Sequence, residues 1–156
     1  MNTNNKFEIF TPTYGWSHIN IASKNYNGEK QSCSIPVSTV VTPYFIVNIM
    51  DCLITTIKDK KETVIYIDGE GEEAHIIFCP NGTIVIHEKN KRKTFYMDYL
   101  NADEIAKNVY EELSNNLNKW KQDFISEHDF DESAEDKFIQ SYKEFKNLMN
   151  TKNQRG

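Results

Sequence analysis

The chain has 156 residues and 38% hydrophobic content, a length typical of one domain and a composition that supports a packed core rather than disorder. Its formal net charge of −5 argues against nucleic-acid binding, which requires Lys and Arg to neutralise phosphates. It opens without an apolar secretory segment and has no run long enough to span a bilayer, so we expect a cytoplasmic protein with reduced cysteines.

The first third of the chain alternates between apolar and polar residues, as strands do. Strands are predicted over residues 6–13, 16–23 and 29–39. A helix follows, because Thr42 can accept a hydrogen bond from the first turn as its N-cap and Pro43 suits the first helical position.

Four further strands are predicted, over residues 63–68, 74–79, 84–87 and 94–100. Asn81-Gly82 indicates a hairpin between the second and third of these, since both residues tolerate the positive φ of a type I′ turn. A two-residue turn at this point would pair Phe78 with Val85. The same register places His75 and His87 on opposite faces of the sheet.

The C-terminal third has helical periodicity. Asn101 is predicted as an N-cap, with Glu104 three residues later as in a capping box. Apolar residues then recur at helical spacing over residues 105–124 and predict one long helix. A second helix is predicted from about Asp131.

Runs of strands closed by helices predict an α+β fold in the order βββα-ββββαα. We expect two β-meander-plus-helix halves that share one antiparallel sheet, with the helices packed on it. Residues 1–150 form a single domain in this interpretation, and residues 151–156 form a flexible polar tail.

The sequence contains no motif typical of a catalytic or metal site. The four histidines, His18, His75, His87 and His128, never occur at ligand spacing, and no cysteine stands in a motif that links it to a histidine base. We therefore predict a non-enzymatic protein without cofactor or metal. A protein that binds or converts a small molecule remains an alternative, since two carboxylates could meet in space.

Two acidic segments are candidate contacts to a partner protein. The first is Gly-rich, fails the order of a calcium loop and lacks the Lys of a phosphate loop; its carboxylates belong to Asp68, Glu70, Glu72 and Glu73. The second joins the last two helices and contains Asp129, Asp131, Glu132, Glu135 and Asp136. Either segment could simply be solvated; as a functional surface it would attract a cationic protein.

A basic run is the main argument for nucleic-acid binding. It contains Lys89, Lys91, Arg92 and Lys93, with Phe95, Tyr96 and Tyr99 close behind. Aromatic side chains beside cations are how single strands are stacked and held. A nucleic-acid-binding module is therefore the first alternative to protein binding, although the surrounding chain is acidic.

The segment Gly15-Trp16-Ser17-His18-Ile19-Asn20-Ile21, the helix after Thr42 and the segment Ile67-Asp68-Gly69-Glu70-Gly71 resemble small bacterial immunity-type proteins of polymorphic toxin systems. The repeated meander-plus-helix order also resembles the Whirly-like fold of some immunity proteins. This resemblance implies an immunity or antitoxin-like inhibitor that binds a basic bacterial toxin. It implies no catalytic residue, and the oligomeric state stays open.

Overall fold

The structure, a computed structural model, describes residues 5–128 and 131–155. In these residues the strands are β1 (Lys6–Ile9), β2 (Trp16–Lys24), β3 (Lys30–Ser38), β4 (Thr63–Asp68), β5 (Glu73–Cys79), β6 (Gly82–Glu88) and β7 (Arg92–Met97). The helices are α1 (Phe45–Asp59), α2 (Ala102–Asn115), α3 (Leu117–Ser126) and α4 (Ala134–Arg155).

The predicted α+β class and the order of strands and helices are confirmed. The expectation of one shared sheet is wrong, because the strands form two antiparallel sheets. One has three strands in the order β1-β2-β3, and the other has four in the order β4-β5-β6-β7. Each sheet is a meander of consecutive strands, and α1 connects the two.

The first C-terminal helix is shorter than predicted, because Asn116 divides the region into α2 and α3. Asn116 has φ −132° and ψ 32°, outside the helical region. Its amide donates to the Glu112 carbonyl over 3.1 Å, and its side-chain nitrogen lies 3.2 Å from Glu112 Oε2. These bonds satisfy the end of α2 and allow α3 to start in a new direction. The Asn101 cap is confirmed, since its side chain accepts from the Glu104 amide.

The start of α1 differs from the prediction. The helix begins at Phe45, with Tyr44 in the N-cap position and no side-chain cap. Thr42 does not cap it. Instead, the Thr42 hydroxyl accepts from the Asp68 amide over 3.0 Å and donates to the Asp68 carbonyl over 3.2 Å. The segment before α1 is thereby joined to the end of β4.

The β5–β6 hairpin forms, but in a register shifted by two residues. Phe78 pairs with Thr83 rather than Val85, so the turn residues are Pro80 and Asn81. Pro80 suits the first turn position because its ring fixes φ at about −65°, which explains why Asn-Gly does not set the turn.

A shift of two residues leaves every side chain on the same face. His75 and His87 therefore lie on opposite faces, as predicted. Neither Asn81 nor Gly82 has a positive φ. A Cβ at Gly82 would instead make a tight contact, 3.2 Å from the Asp98 carbonyl oxygen.

A single hydrophobic core includes buried residues of both sheets and all four helices. Its largest fully buried side chains include Phe7, Phe45, Phe78, Trp120 and Phe138. The last helix, α4, runs to Arg155, so most of the segment that the sequence predicts as a tail is helical. Of the described helices, none is both long and apolar enough to cross a bilayer.

Candidate functional site: the outer face of the four-stranded sheet

Two rows of side chains cross the four-stranded sheet on the side that faces away from the core. Residues opposite each other on antiparallel strands share a face, and the pairing defines the rows Val64, Ile77, Ile84, Tyr96 and Tyr66, His75, Ile86, Thr94. Their sequence neighbours Ile65, Ile76 and Val85 are buried in the core. We call these eight residues the outer face.

The outer face is apolar and open to solvent. The exposed fractions are 53% for Val64, 45% for Tyr66 and 53% for Tyr96, so no described element covers it. Two rows of side chains on four strands spaced about 4.8 Å apart cover about 250 Å² in projection. Apolar patches of a few hundred Å² are the largest on a typical monomer and are often functional.

The three-stranded sheet does not share this property. Its outward-facing rows include His18 with Pro36 and Asn20 with Ser34, and the Ser34 hydroxyl donates to Asn20 Oδ1 over 2.8 Å. Apart from Trp16, which is 43% exposed at the start of β2, the residues of this face are polar or small, as is usual for a solvated sheet face. The apolar outer face is therefore a property of one sheet and not of the fold in general.

Carboxylates border the outer face at one end. The next cross-strand row contains Asp68, Glu73 and Glu88, closed by Arg92 on the edge strand. Glu70 projects from the β4–β5 turn, where it adopts φ 55°. We call Asp68, Glu70, Glu73 and Glu88 the acidic end. All four line one surface depression of about 500 Å³, which Lys89 also lines, and Arg92 Nε lies 3.7 Å from Glu88 Oε1.

Tyr66 connects the apolar rows to the acidic end. Desolvation, a hydrogen bond with Glu73, and the charges of Glu73, Asp68 and Glu88 raise the pKa of the Tyr66 hydroxyl. The phenol therefore remains neutral and can donate a hydrogen bond while its ring stays on the apolar surface. Aromatic side chains with a polar tip are common anchors of protein interfaces.

Glu72 does not join the other carboxylates of its segment. Its Oε2 lies 2.9 Å from His87 Nε2 and its Oε1 lies 3.4 Å from Lys89 Nζ. Only 20% of the side chain is exposed. The structure thus brings together three of the four predicted residues and adds Glu88 to them. Glu72 instead pairs with His87 and Lys89.

The second acidic segment is partly neutralised by neighbouring cations. Asp131 accepts from the amide and hydroxyl of Ser133 and from Lys137 Nζ at 3.0 Å. These hydrogen bonds lower the pKa of Asp131 to about 2. Glu135 lies 3.7 Å from Lys121.

The remaining predicted residues of this segment are Glu132 and Asp136, both exposed on the surface, and Asp129, which lies outside the described residues. Asp131 stabilises the start of α4, and Glu135 connects α4 to Lys121 of α3. The field of this segment is correspondingly weaker than its composition indicates.

The basic run is divided between the two sides of the sheet, and its three lysines line one cleft with Phe95. Arg92 lies in the row of the acidic end, whereas Lys93 lies opposite His87 on the other side of the sheet. Lys89 pairs with Glu72, and Lys91 is exposed in the turn.

The aromatic residues divide in the same way as the cations. Tyr96 belongs to the outer face, and Phe95, its neighbour along the strand, packs against the core. Tyr99 lies beyond β7, with its ring edge-on to Tyr26 at 6.1 Å. Of the three aromatics, only Phe95 therefore shares the cleft of the lysines, and the three rings form no continuous stacking platform.

Sequence reasoning overlooked one contact between reactive side chains. Cys33 Sγ lies 3.5 Å from His87 Nδ1, although the two residues are 54 positions apart. No local motif could indicate this, because the pair forms only where β3 of one sheet meets β6 of the other. Among the described residues, no group of three or more His, Cys, Asp or Glu side chains is arranged to hold a metal ion.

Comparison with known proteins gave no match to any family model, curated protein or solved structure. The fold and the two surfaces described above therefore rest on this chain alone. The resemblance to immunity-type proteins stays a prediction.

Proposed function

We propose that this chain is a protein-binding protein whose partner docks on the outer face of the four-stranded sheet. The observation that carries this proposal is the exposure of Val64, Tyr66 and Tyr96 on one apolar surface. Covering such side chains removes apolar area from water, at about 25 cal/mol per Å². The two tyrosines, one on each edge strand, supply rigid anchors of the type enriched in interface hot spots.

The acidic end favours a partner with an apolar centre and Lys or Arg residues along one side. Four carboxylates at one border attract cations and repel anions, which orients an approaching partner and raises its association rate. A second copy of this chain is a poorer occupant, since both copies carry a formal charge of −5. The partner we propose is therefore a basic protein.

An immunity-type inhibitor of a basic bacterial toxin is one specific form of this proposal. Its support is the agreement between the resemblance, which implies a cationic target, and the acidic end beside an apolar face. The inhibitor would act by occupying the surface of the toxin, without chemistry of its own. Growth of cells expressing the candidate toxin, with and without this chain, tests the specific form separately.

Nucleic-acid binding is less favoured by the same surface. The carboxylates of Asp68, Glu73 and Glu88 border the outer face on which bases would have to stack. Phosphates held there would be repelled rather than neutralised. The three lysines of the basic run lie around a cleft on the other side of the sheet, so they cannot neutralise phosphates on the outer face.

Photocrosslinking at matched positions of the two sheets tests the proposal. A benzophenone amino acid replaces Tyr66 or Ile86 on the outer face, and Asn20 or Ser34 on the polar face as controls. After irradiation in the native host, we expect a covalent adduct with a basic protein from the outer-face positions. The adduct should disappear when Glu73→Lys and Glu88→Lys are combined, because the acidic end then repels the partner.

Three results would overturn the proposal. Equal adducts from Asn20 and Ser34 would show that the outer face has no special role. An adduct with twice the mass of the chain would identify a second copy as the occupant. Adducts with nucleic acid from Tyr66 or Ile86 would favour the alternative.

A further inference from the structure

Cys33, His87 and Glu72 form a connected series of side chains away from the outer face. Cys33 Sγ lies 3.5 Å from His87 Nδ1, and His87 Nε2 lies 2.9 Å from Glu72 Oε2. Lys89 Nζ holds the other oxygen of Glu72 at 3.4 Å. A nucleophile in contact with a base, which is itself oriented by a third group, is the geometry required for nucleophilic chemistry.

The carboxylate of Glu72 determines which nitrogen of His87 carries the proton. An ionised carboxylate only accepts hydrogen bonds, so the Nε2 that faces it is the protonated nitrogen. The lone pair of Nδ1 then points to the Cys33 thiol and can accept its proton. Glu72 also stabilises the imidazolium that this transfer creates.

The Cys33–His87 pair borders a cleft with cationic walls. Cys33 and His87 line a cavity of about 450 Å³, together with Lys89, Lys91 and Lys93. Phe95 provides an apolar wall. Glu72 compensates the charge of Lys89, and the charges of Lys91 and Lys93 favour an anionic occupant.

We propose that Cys33 is a nucleophilic thiol, assisted by His87 and oriented through Glu72, that reacts with small anionic carbon electrophiles in this cleft. The site is independent of the docking function and lies on the other side of the sheet. The ligand class is a small molecule that carries a carboxylate or phosphate beside an electrophilic carbon bearing a leaving group.

The reaction is a substitution without change of oxidation state in the protein. The sulfur lone pair of Cys33 forms the Sγ–C bond, and the bond from carbon to the leaving group breaks with its electrons on the leaving group. The proton of the thiol passes to His87 Nδ1 and then to the leaving group or to water. The product is a thioether or thioester at Cys33.

Burial makes the assistance of His87 necessary. Desolvation, with the nearby charge of Glu72, raises the pKa of Cys33 to about 11, against the opposing effect of Lys93. The resting sulfur is therefore a thiol, and a base must remove the proton as the new bond forms. This distinguishes Cys33 from a cysteine that is reactive merely because it is exposed.

Alkylation of the full chain by iodoacetate and by iodoacetamide tests the proposal, because the two probes share a leaving group but differ in charge. Mass spectrometry after short reaction times gives a rate for each cysteine. Cys52, beside the Val64 carbonyl, and Cys79, beside Glu62, are internal controls without a histidine partner. We expect Cys33 to react faster than Cys79, although it is more buried.

Two further measurements vary the charge of the probe and remove the base. The ratio of iodoacetate to iodoacetamide rates at Cys33 should exceed the ratio in the unfolded chain by about 10-fold, because the lysines concentrate the anion. His87→Gln should lower the Cys33 rate by about 100-fold, a usual contribution of a general base. The rates at Cys52 and Cys79 should stay within about 2-fold of wild type, which also shows that the variant is folded.

Glu72 is a positioning residue, and a pH profile separates this role from a structural one. The charged or titratable groups around the thiol are Glu72, His87, Lys89, Lys91 and Lys93. With Glu72→Gln the imidazolium loses its carboxylate, so the rise of the Cys33 rate with pH should move to lower pH. A Cys33 rate below that of Cys79, or one that His87→Gln leaves unchanged, would overturn the proposal. So would a probe ratio equal to that of the unfolded chain.

Discussion

Thr42 and Asp68 exchange two hydrogen bonds between the segment that leads into α1 and the last residue of β4. The Thr42 hydroxyl accepts from the Asp68 amide at 3.0 Å and donates to the Asp68 carbonyl at 3.2 Å. Asp68 is also the first residue of the acidic end. A single hydroxyl therefore connects the two halves of the chain at the border of the proposed docking surface.

Replacement of Thr42 by Val should destabilise the protein by about 1–3 kcal/mol, because it leaves two partly buried backbone groups without their partner at unchanged volume. Thr42→Ser keeps the hydroxyl and is the matched control. Urea unfolding followed by circular dichroism gives the free energy of unfolding for each variant. Equal losses for Val and Ser would mean that the hydrogen bonds contribute nothing measurable.

Ile76 and Ile77 are adjacent in β5 but point to opposite sides of the sheet. Ile76 is fully buried, and its truncation to Ala should cost about 2–5 kcal/mol through lost burial and the cavity left behind. Ile77→Ala removes the same atoms from the outer face and should cost much less. The same unfolding measurement compares them, and a reversed order would show that the sheet faces the other way.

The charge of Asp131 should stabilise the protein in a defined range of pH. Its pKa is lowered to about 2 by Ser133 and Lys137, below its ordinary value of 3.8. A lowered carboxylate pKa gives stability that is complete above the ordinary pKa and is lost as pH falls through the folded-state pKa. The difference in melting temperature between wild type and Asp131→Asn should therefore be constant near neutral pH and disappear by about pH 2.

NMR titration of the Asp131 carboxyl carbon checks the cause directly. Ser133→Ala removes the hydroxyl bond that contributes most to the shift, so it should raise the pKa of Asp131 toward 3.8. An Asp131 that titrates at its ordinary value in the wild type would contradict the observed hydrogen bonds.

The alternation and turn signals in the sequence were sufficient to predict the α+β class and the positions of most strands. The 63–68 strand prediction agrees with β4 to the residue. Two local preferences were overridden, one by a tertiary contact and one by a neighbouring residue. Thr42 bonds to Asp68 instead of capping α1, and Pro80 sets a turn that Asn81-Gly82 would otherwise form.

The division into two sheets could not be predicted, because strand order along the chain does not reveal which edges pair. The apolar residues of the outer face are visible in the sequence, but their pattern also fits a buried sheet. Strands β4, β5 and β6 are apolar at successive positions, which is typical of strands buried on both sides. Here the second side is exposed, and only the structure shows it. The Cys33–His87 contact left no sequence signal.

The affinity of the crosslinked partner for two lysine variants tests the docking surface most directly. Ile86→Lys places a charge at the centre of the outer face, and Ser34→Lys places the same charge on the polar face of the other sheet. Titration calorimetry should show a loss of about 30-fold or more for Ile86→Lys, as for a hot-spot residue, and a change of less than about 3-fold for Ser34→Lys. Equal dissociation constants for Ile86→Lys and wild type would contradict docking on the outer face.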